Sequence, residues 1–396
     1  MNFFKIFESI MKVLNPIGFF STKKYLTQKG KRIVGISDLS SLIKDAIPSK
    51  NGLYPHEILM LSYASNYKTT LENNIYQSFW LDKYYVDNPN TILKSLVERG
   101  FIDIGDISQT IERLTISELK ENLASINQKT NGSKQELINR ILINIPENIL
   151  NKRYPHRYFK LTDLGKQELL DNQYVPYLHK NDFLNIWELN KLAPTEKNYR
   201  DLIWECFNKQ SLKETSNYNF GLYCNIRFKM GLFLLEENKI KEALYFFCEV
   251  FKYDNCLLDN LAKNLLDRQD KKDFLILLNT KVNLFFTHIL QPPKLLECFL
   301  HIQKKLEISE QKFQDILYNN FYKIRTELCM FTEEELVKII EYETKKENDK
   351  LNILYDIAKK RELQKIITLK EKLGCKNLDL NKYTDETTLL LEKYGL

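Results

Sequence analysis

Lys120, Lys129, Lys134 and Arg140 lie close together in the chain, with Thr130, Gly132 and Ser133 among them. Their chemistry is anion binding. Ammonium and guanidinium groups pair with phosphate oxygens, and backbone N–H groups at the positive end of a helix dipole seat the same oxygens. Catalytic motifs are missing: there is no G-x4-G-K-[ST], no G-x-S-x-G and no Cys–His motif. A metal-dependent nuclease would need clustered carboxylates with a nearby lysine. The fragments that come nearest are Asp103-Ile-Gly-Asp106 and Glu343–Thr344–Lys345, the second within a charged helical run. Five histidines are too scattered for a zinc cluster, and no metal or cofactor is expected.

The cations need elements to hold them. The stretch LTISELKENLASINQKTNGSKQELINRIL (114–142) contains two capping boxes, Thr115–Glu118 and Ser133–Glu136, each opening a helix. Leu119, Leu123 and Ile126 line one face of the first helix; Leu137, Ile138, Ile141 and Leu142 line one face of the second. Pro146 closes the second helix. Asn127 to Gly132 is a polar loop, and Gly132 is expected at a backbone angle that side chains resist. A hairpin this small buries little surface and suits reading a surface better than scaffolding.

L-T-x-x-E-L-K followed by G-x-K-x-E-L-I-x-R resembles a SAP domain, a helix–extended loop–helix module associated with DNA. Leu114, Thr115, Glu118, Leu119, Lys120, Gly132, Lys134, Glu136, Leu137, Ile138 and Arg140 carry the resemblance. Where that family usually has Gly-Leu before the loop, this chain has Asn127-Gln128. The resemblance implies backbone-dominated binding of duplex DNA, often AT-leaning, with Lys120, Lys129, Lys134 and Arg140 as contacts. Glu112, Glu118, Glu121 and Glu136 dilute the positive charge.

The flanks, NTILKSLVERGFIDI (90–104) and RYFKLTDLGKQELLDN (157–172), are similar to the end of winged-helix domains: a recognition helix, a two-stranded wing and a last helix capped by Thr162. Segments 54–64 and 79–86 would supply the earlier helices. On this reading the SAP-like hairpin (111–146) is inserted at the wing tip, where exposed turns tolerate insertions. Two weak DNA readers on one base would gain from effective concentration. Asn90, Lys94, Ser95 and Arg99 are the expected contacts of the recognition helix. His56, beside Glu57, reads as a satisfied histidine at a helix end.

Residues 174–194 carry too many large apolar groups, Tyr177 and Trp187 among them, for a solvated linker. Beyond them, 228–254 forms two helices in which Gly231, Ala243 and Phe247 are spaced as in one tetratricopeptide repeat. The small residues let the helices approach while Phe247 fills the groove. Further helical segments (257–267, 271–287, 293–305, 309–328, 332–346 and 349–373) show no readable period, and Thr332–Glu335 is another capping box. Such stacked helices would hold a protein partner or self-associate.

Composition agrees with this outline. A length of 396 residues suggests two or three domains. With 43% hydrophobic and 28% charged residues, 12 glycines and 10 prolines, a mainly α-helical protein is expected. A net charge of +6 permits nucleic-acid binding without requiring it. Abundant Lys, Asn and Ile point to a low-GC source, a bacterium or one of its phages or mobile elements. The seven cysteines form no CxxC pair, which suits reduced thiols in a cytoplasmic protein. At the N-terminus, Phe4, Phe7, Ile10, Met11 and Leu14 share a helical face, but Lys5, Glu8 and Lys12 interrupt the apolar run, so no signal peptide or stable membrane insertion is expected.

The expected organisation is therefore an amphipathic segment (1–48), a winged-helix-like domain with a SAP-like insertion (49–173), a connector (174–194) and a helical, repeat-like domain (195–396). The expected function is non-catalytic binding of duplex DNA. The alternatives are a protein-interaction adaptor without DNA binding and, second, a metal-dependent nuclease.

Overall fold

A computed structural model describes residues 39–380, apart from 182, 193–197, 218, 257–270, 288, 290 and 327–328. The N-terminal amphipathic face and the 257–267 segment lie outside the described residues. The fold is mostly α-helical with one small two-stranded sheet. It divides into two compact units between Ile203 and Trp204, inside a helix spanning Tyr199–Ser216.

The first unit is organised around helix α2 (Pro55–Ala64), which follows a short α1 (Leu39–Lys44). Ile58, Leu59, Met60, Leu61 and Ala64 are all buried, so α2 is apolar on nearly every side and takes the centre. It packs against α4 (Pro89–Glu98), α9 (Asp163–Asp171), α10 (Tyr174–Asn181) and α11 (Ile186–Asn190), while α3 (Phe79–Asp82) adds the buried Trp80. Strand β1 (Ile102–Ile104) follows α4 and pairs antiparallel with β2 (Phe159–Leu161), matching Ile102 to Leu161 and Ile104 to Phe159. Thr162 then caps α9 by accepting from the Gly165 N–H. Leu178, Phe183, Leu184, Trp187 and Leu189 are buried and Tyr177 is half-buried, so the aromatic connector is part of this core.

Between β1 and β2 the chain makes a four-helix excursion: α5 (Ile107–Glu112), α6 (Ile116–Ala124), α7 (Lys134–Asn144) and α8 (Glu147–Arg153). These helices enclose a hydrophobic cluster of their own, running from Ile107 and Ile111 through Leu119, Leu123, Leu137 and Ile141 to Leu150. The excursion thus extends beyond the expected 111–146 at both ends. A two-helix hairpin leaves too much apolar surface bare, and α5 and α8 cover it.

In the second unit α13 (Phe220–Glu236) and α14 (Ile240–Asp254) form the closest pair; α12 is the helix at Tyr199–Ser216. A side chain at Gly231 would meet the Phe247 ring at 2.5 Å, which is why the sequence has glycine opposite phenylalanine. The pair also buries an ion pair, Arg227 Nε to Glu249 Oε2 at 2.6 Å, with the Tyr223 hydroxyl donating to the other carboxylate oxygen at 2.6 Å. Helices α15 (Lys271–Thr287), α16 (Pro293–Leu306), α17 (Glu310–Lys323), α18 (Glu333–Lys345) and α19 (Asn348–Lys372) follow among the described residues. The Thr332–Glu335 box opens α18.

Candidate nucleic-acid interface

Both capping boxes of the hairpin form. The Thr115 N–H donates to Glu118 Oε2 at 2.7 Å, and the Ser133 N–H donates to Glu136 Oε2 at 2.7 Å. These bonds hold both carboxylates below their ordinary pKa, the largest cause in each case being the backbone N–H of the cap residue. Helix α6 ends in a Schellman pattern, with the Gln128 N–H on the Leu123 carbonyl and the Asn127 N–H on that of Ala124. Asn127 is left-handed, with φ +55°. Asparagine tolerates that region better than most other side chains, so Asn127 suits the turn that ends α6. Gly132 has φ +127°, and a Cβ there would lie 2.7 Å from Glu136 Oε2.

Around this loop the structure gathers Lys129, Thr130, Gly132, Ser133, Lys134 and Arg140, but not as equals. Lys129 and Lys134 are exposed, as is Lys120 on α6, and no ion pair among the described residues involves any of the three. Arg140 is engaged: its Nη1 donates to the carbonyls of Lys129 and Asn131 and so pins the loop. The seat expected for phosphate at the start of α7 is partly filled from within, because the Glu136 carboxylate takes the Ser133 N–H and hydroxyl. Thr130 is half-buried. What the loop offers an anion is chiefly lysine ammonium groups.

On α4, Lys94 is exposed, while Asn90 accepts a hydrogen bond from the Tyr76 hydroxyl. Arg99 is exposed but engaged within the protein. It pairs with Glu57 at 2.9 Å, donates to the carbonyls of Gly52 (2.9 Å) and Asn51 (3.3 Å), and lies over the Phe101 ring. Its fork ties the end of α4 to the start of α2.

Several residues escaped sequence reasoning. Asn122, with a relative exposure of 5%, is the polar centre of the excursion: it donates to the Glu118 carbonyl (2.7 Å) and the Tyr154 hydroxyl (2.6 Å) and accepts from Arg153. Arg113 stacks on Tyr158, 4.6 Å from the ring centre. The signals for the added helices were present as an Asp106–Gln109 capping box and a proline, Pro146, that starts α8 as well as ending α7. His56 departs from its expected satisfied state: Nδ1 is buried without a partner beside Trp187, whose Nε1 also lacks one. Burial lowers the His56 pKa to about 4.

The nuclease fragments have structural employment. Asp106 caps α5, and its hydrogen bonds from Ser108 hold its pKa down. Asp103 accepts from the Ile104 N–H at 2.7 Å. Burial raises the Glu343 pKa. Among the described residues no three His, Cys, Asp or Glu side chains are grouped to hold a metal ion, and no helix is long and apolar enough to cross a membrane. No protein-family model, curated protein or solved structure gives a significant match to this chain.

Proposed function

We propose that the chain is a non-catalytic DNA-binding protein that grips duplex phosphates through the lysines of its 107–153 module. One observation carries the reading: Lys120, Lys129 and Lys134 stand exposed and without ion pairs on a hairpin whose loop is pinned by Arg140. The order helix, strand, helical module, strand, helix over 89–171 supports a winged-helix base with a SAP-like insertion, Lys94 adding charge on the base. The second unit is read as a tetratricopeptide-like scaffold for a protein partner or a second copy, supported by the Gly231–Phe247 packing.

The test is the triple substitution Lys120→Ala, Lys129→Ala, Lys134→Ala. Each neutralised phosphate contributes about 0.9 to the slope of log affinity against log salt, so losing three contacts flattens it by about 2.7 and weakens binding on the order of a hundredfold at physiological salt. A correctly folded triple variant with the parental slope refutes the proposal. A second reading, a protein adaptor, is favoured by Ile143 on α7, 81% exposed, and Ile116 on α6, 49% exposed. It predicts no salt-sensitive DNA binding at all.

A further inference from the structure

In the second unit, Cys256 and Cys329 face each other across an isolated antiparallel bridge between the end of α14 and the turn before α18. The Met330 N–H donates to the Asn255 carbonyl at 3.0 Å, so this bond lies beside the cysteines and leaves them as a non-hydrogen-bonded pair. At such positions the Cα atoms sit about 4.5 Å apart with side chains turned toward each other, within the roughly 4.4–6.8 Å that a disulfide spans. We propose that Cys256 and Cys329 form a reversible intramolecular disulfide, making this bridge an oxidation site for hydroperoxides.

Both strands of the bridge are already fixed where the bond would form. Asn255 exchanges amide hydrogen bonds with Gln291 (3.2 and 2.9 Å), and its Nδ2 also donates to the Phe251 carbonyl at 2.8 Å. One turn before Cys256, the Lys252 ammonium is buried among the carbonyls of Phe321 and Ile324 and the carboxylate of Glu333, at 2.7–2.8 Å. On the other side, Arg361 donates to the Met330 carbonyl at 2.8 Å. Joining the sulfurs therefore asks for little backbone movement. The thiols are also unequal. Cys329 is half-buried, and hydrogen bonding to Cys256, with the Lys252 charge nearby, favours its thiolate; Cys256 is nearly closed off, and its one S–H serves either the Cys329 sulfur or the Lys252 carbonyl, 2.9 Å away. Cys298, by contrast, is pushed up to about 12 by burial, and Cys248 is also pushed well up.

The roles follow. The Cys329 thiolate attacks a peroxide oxygen, breaks the O–O bond and becomes a sulfenic acid. The Cys256 sulfur then attacks the Cys329 sulfur and expels the hydroxyl. Overall, two S–H bonds are lost, one S–S bond forms, and one hydrogen peroxide is reduced to two waters. A low-molecular-weight thiol reverses the step.

The experiment treats the full chain with hydrogen peroxide, blocks remaining thiols with an alkylating agent and maps the non-reduced digest by mass spectrometry. The expected result is one dominant cross-linked species joining the Cys256 and Cys329 peptides, lost on reduction. Closing this long loop raises the melting temperature on the order of 10 °C. In Cys329→Ser, Cys256 should remain alkylatable after peroxide. A wild-type map in which another cysteine pairs with Cys329, or in which Cys329 reaches sulfinic acid while Cys256 stays a thiol, overturns the proposal without any variant.

Discussion

If the 127–132 loop binds phosphates as proposed, Arg140 could serve it in two ways, as a contact or as a support, and its removal distinguishes them. If it touched DNA, Arg140→Ala would flatten the salt slope by about 0.9, the value of one phosphate. The structure instead makes it the strut that joins the carbonyls of Lys129 and Asn131 to α7. Each such bond contributes about 0.5–1.5 kcal/mol net, and exposure to solvent keeps the pair toward the lower end, about 1–2 kcal/mol in total. Losing that support lowers the population of the ordered loop, and apparent affinity falls in proportion. The expected result is a roughly 5- to 30-fold weaker complex with an unchanged salt slope. Arg140→Lys should rescue little, because an ammonium keeps the charge but lacks the planar fork. Fluorescence anisotropy on an AT-rich duplex across a salt series reads affinity and slope, and hydrogen exchange at 127–132 reads the loop whether or not DNA is present. A flattened slope, rescue by lysine and unaltered loop exchange would together refute the strut.

Two further outcomes rest on single residues. Gly132→Ala forces a side chain into φ +127° and onto the Glu136 carboxylate, so stability in urea should drop by about 1–3 kcal/mol; a change below about 0.5 kcal/mol would mean that the loop relaxes freely. His56 gives a pH dependence: its folded pKa, about 4, lies below the ordinary histidine value of 6.5, so the unfolded chain binds the extra proton first. Its contribution is full above pH 6.5 and is lost as pH falls toward 4, by about 3 kcal/mol in all. Equilibrium denaturation of His56→Phe should show a flatter acid limb than the parent, and identical limbs would contradict the burial argument.

What the sequence made legible is what the chain determines locally. The boxes at Thr115, Ser133 and Thr332 join residues three apart, and the apolar stripes of α6 and α7 repeat on one helix, so both could be read without the fold. Gly231 and Phe247 were readable because adjacent antiparallel helices meet in a fixed register. The contacts of Arg99 were not legible for the opposite reason. Its partners, Glu57 and the carbonyls of residues 51 and 52, come from far up the chain, and nothing near position 99 distinguishes a structural guanidinium from a ligand-facing one. The same holds for Lys252, a lysine at the end of a helix by sequence and a buried cation with three acceptors by structure. At the candidate interface, the exposed lysines could be read and α5 and α8 left local signals at Asp106 and Pro146, but the role of Asn122 could not be read, because its partners Tyr154 and Arg153 lie about thirty residues on.

The division of labour between the two basic residue types bears on what kind of DNA contact the proposed function would make. Arg99, Arg140, Arg153 and Arg157 all donate to carbonyl or amide oxygens of the first unit, and Arg113 stacks on Tyr158 while donating to Asn66. A guanidinium has five donors in a rigid fork, and this module uses that geometry to hold its own backbone. The same fork is what reads guanine bidentately in the major groove, so those arginines are unavailable for the commonest specific base contact. Lys94, Lys120, Lys129 and Lys134 are the candidate contacts left, point charges on flexible stems, well suited to phosphates and poorly suited to base edges. On the proposed function, binding should therefore depend strongly on salt and weakly on sequence, with any AT preference arising from groove width and not from hydrogen bonds to bases. Duplexes scrambled at constant AT content should bind within a few-fold of one another; a scrambled site that binds a hundredfold more weakly would mean that some other residue reads bases.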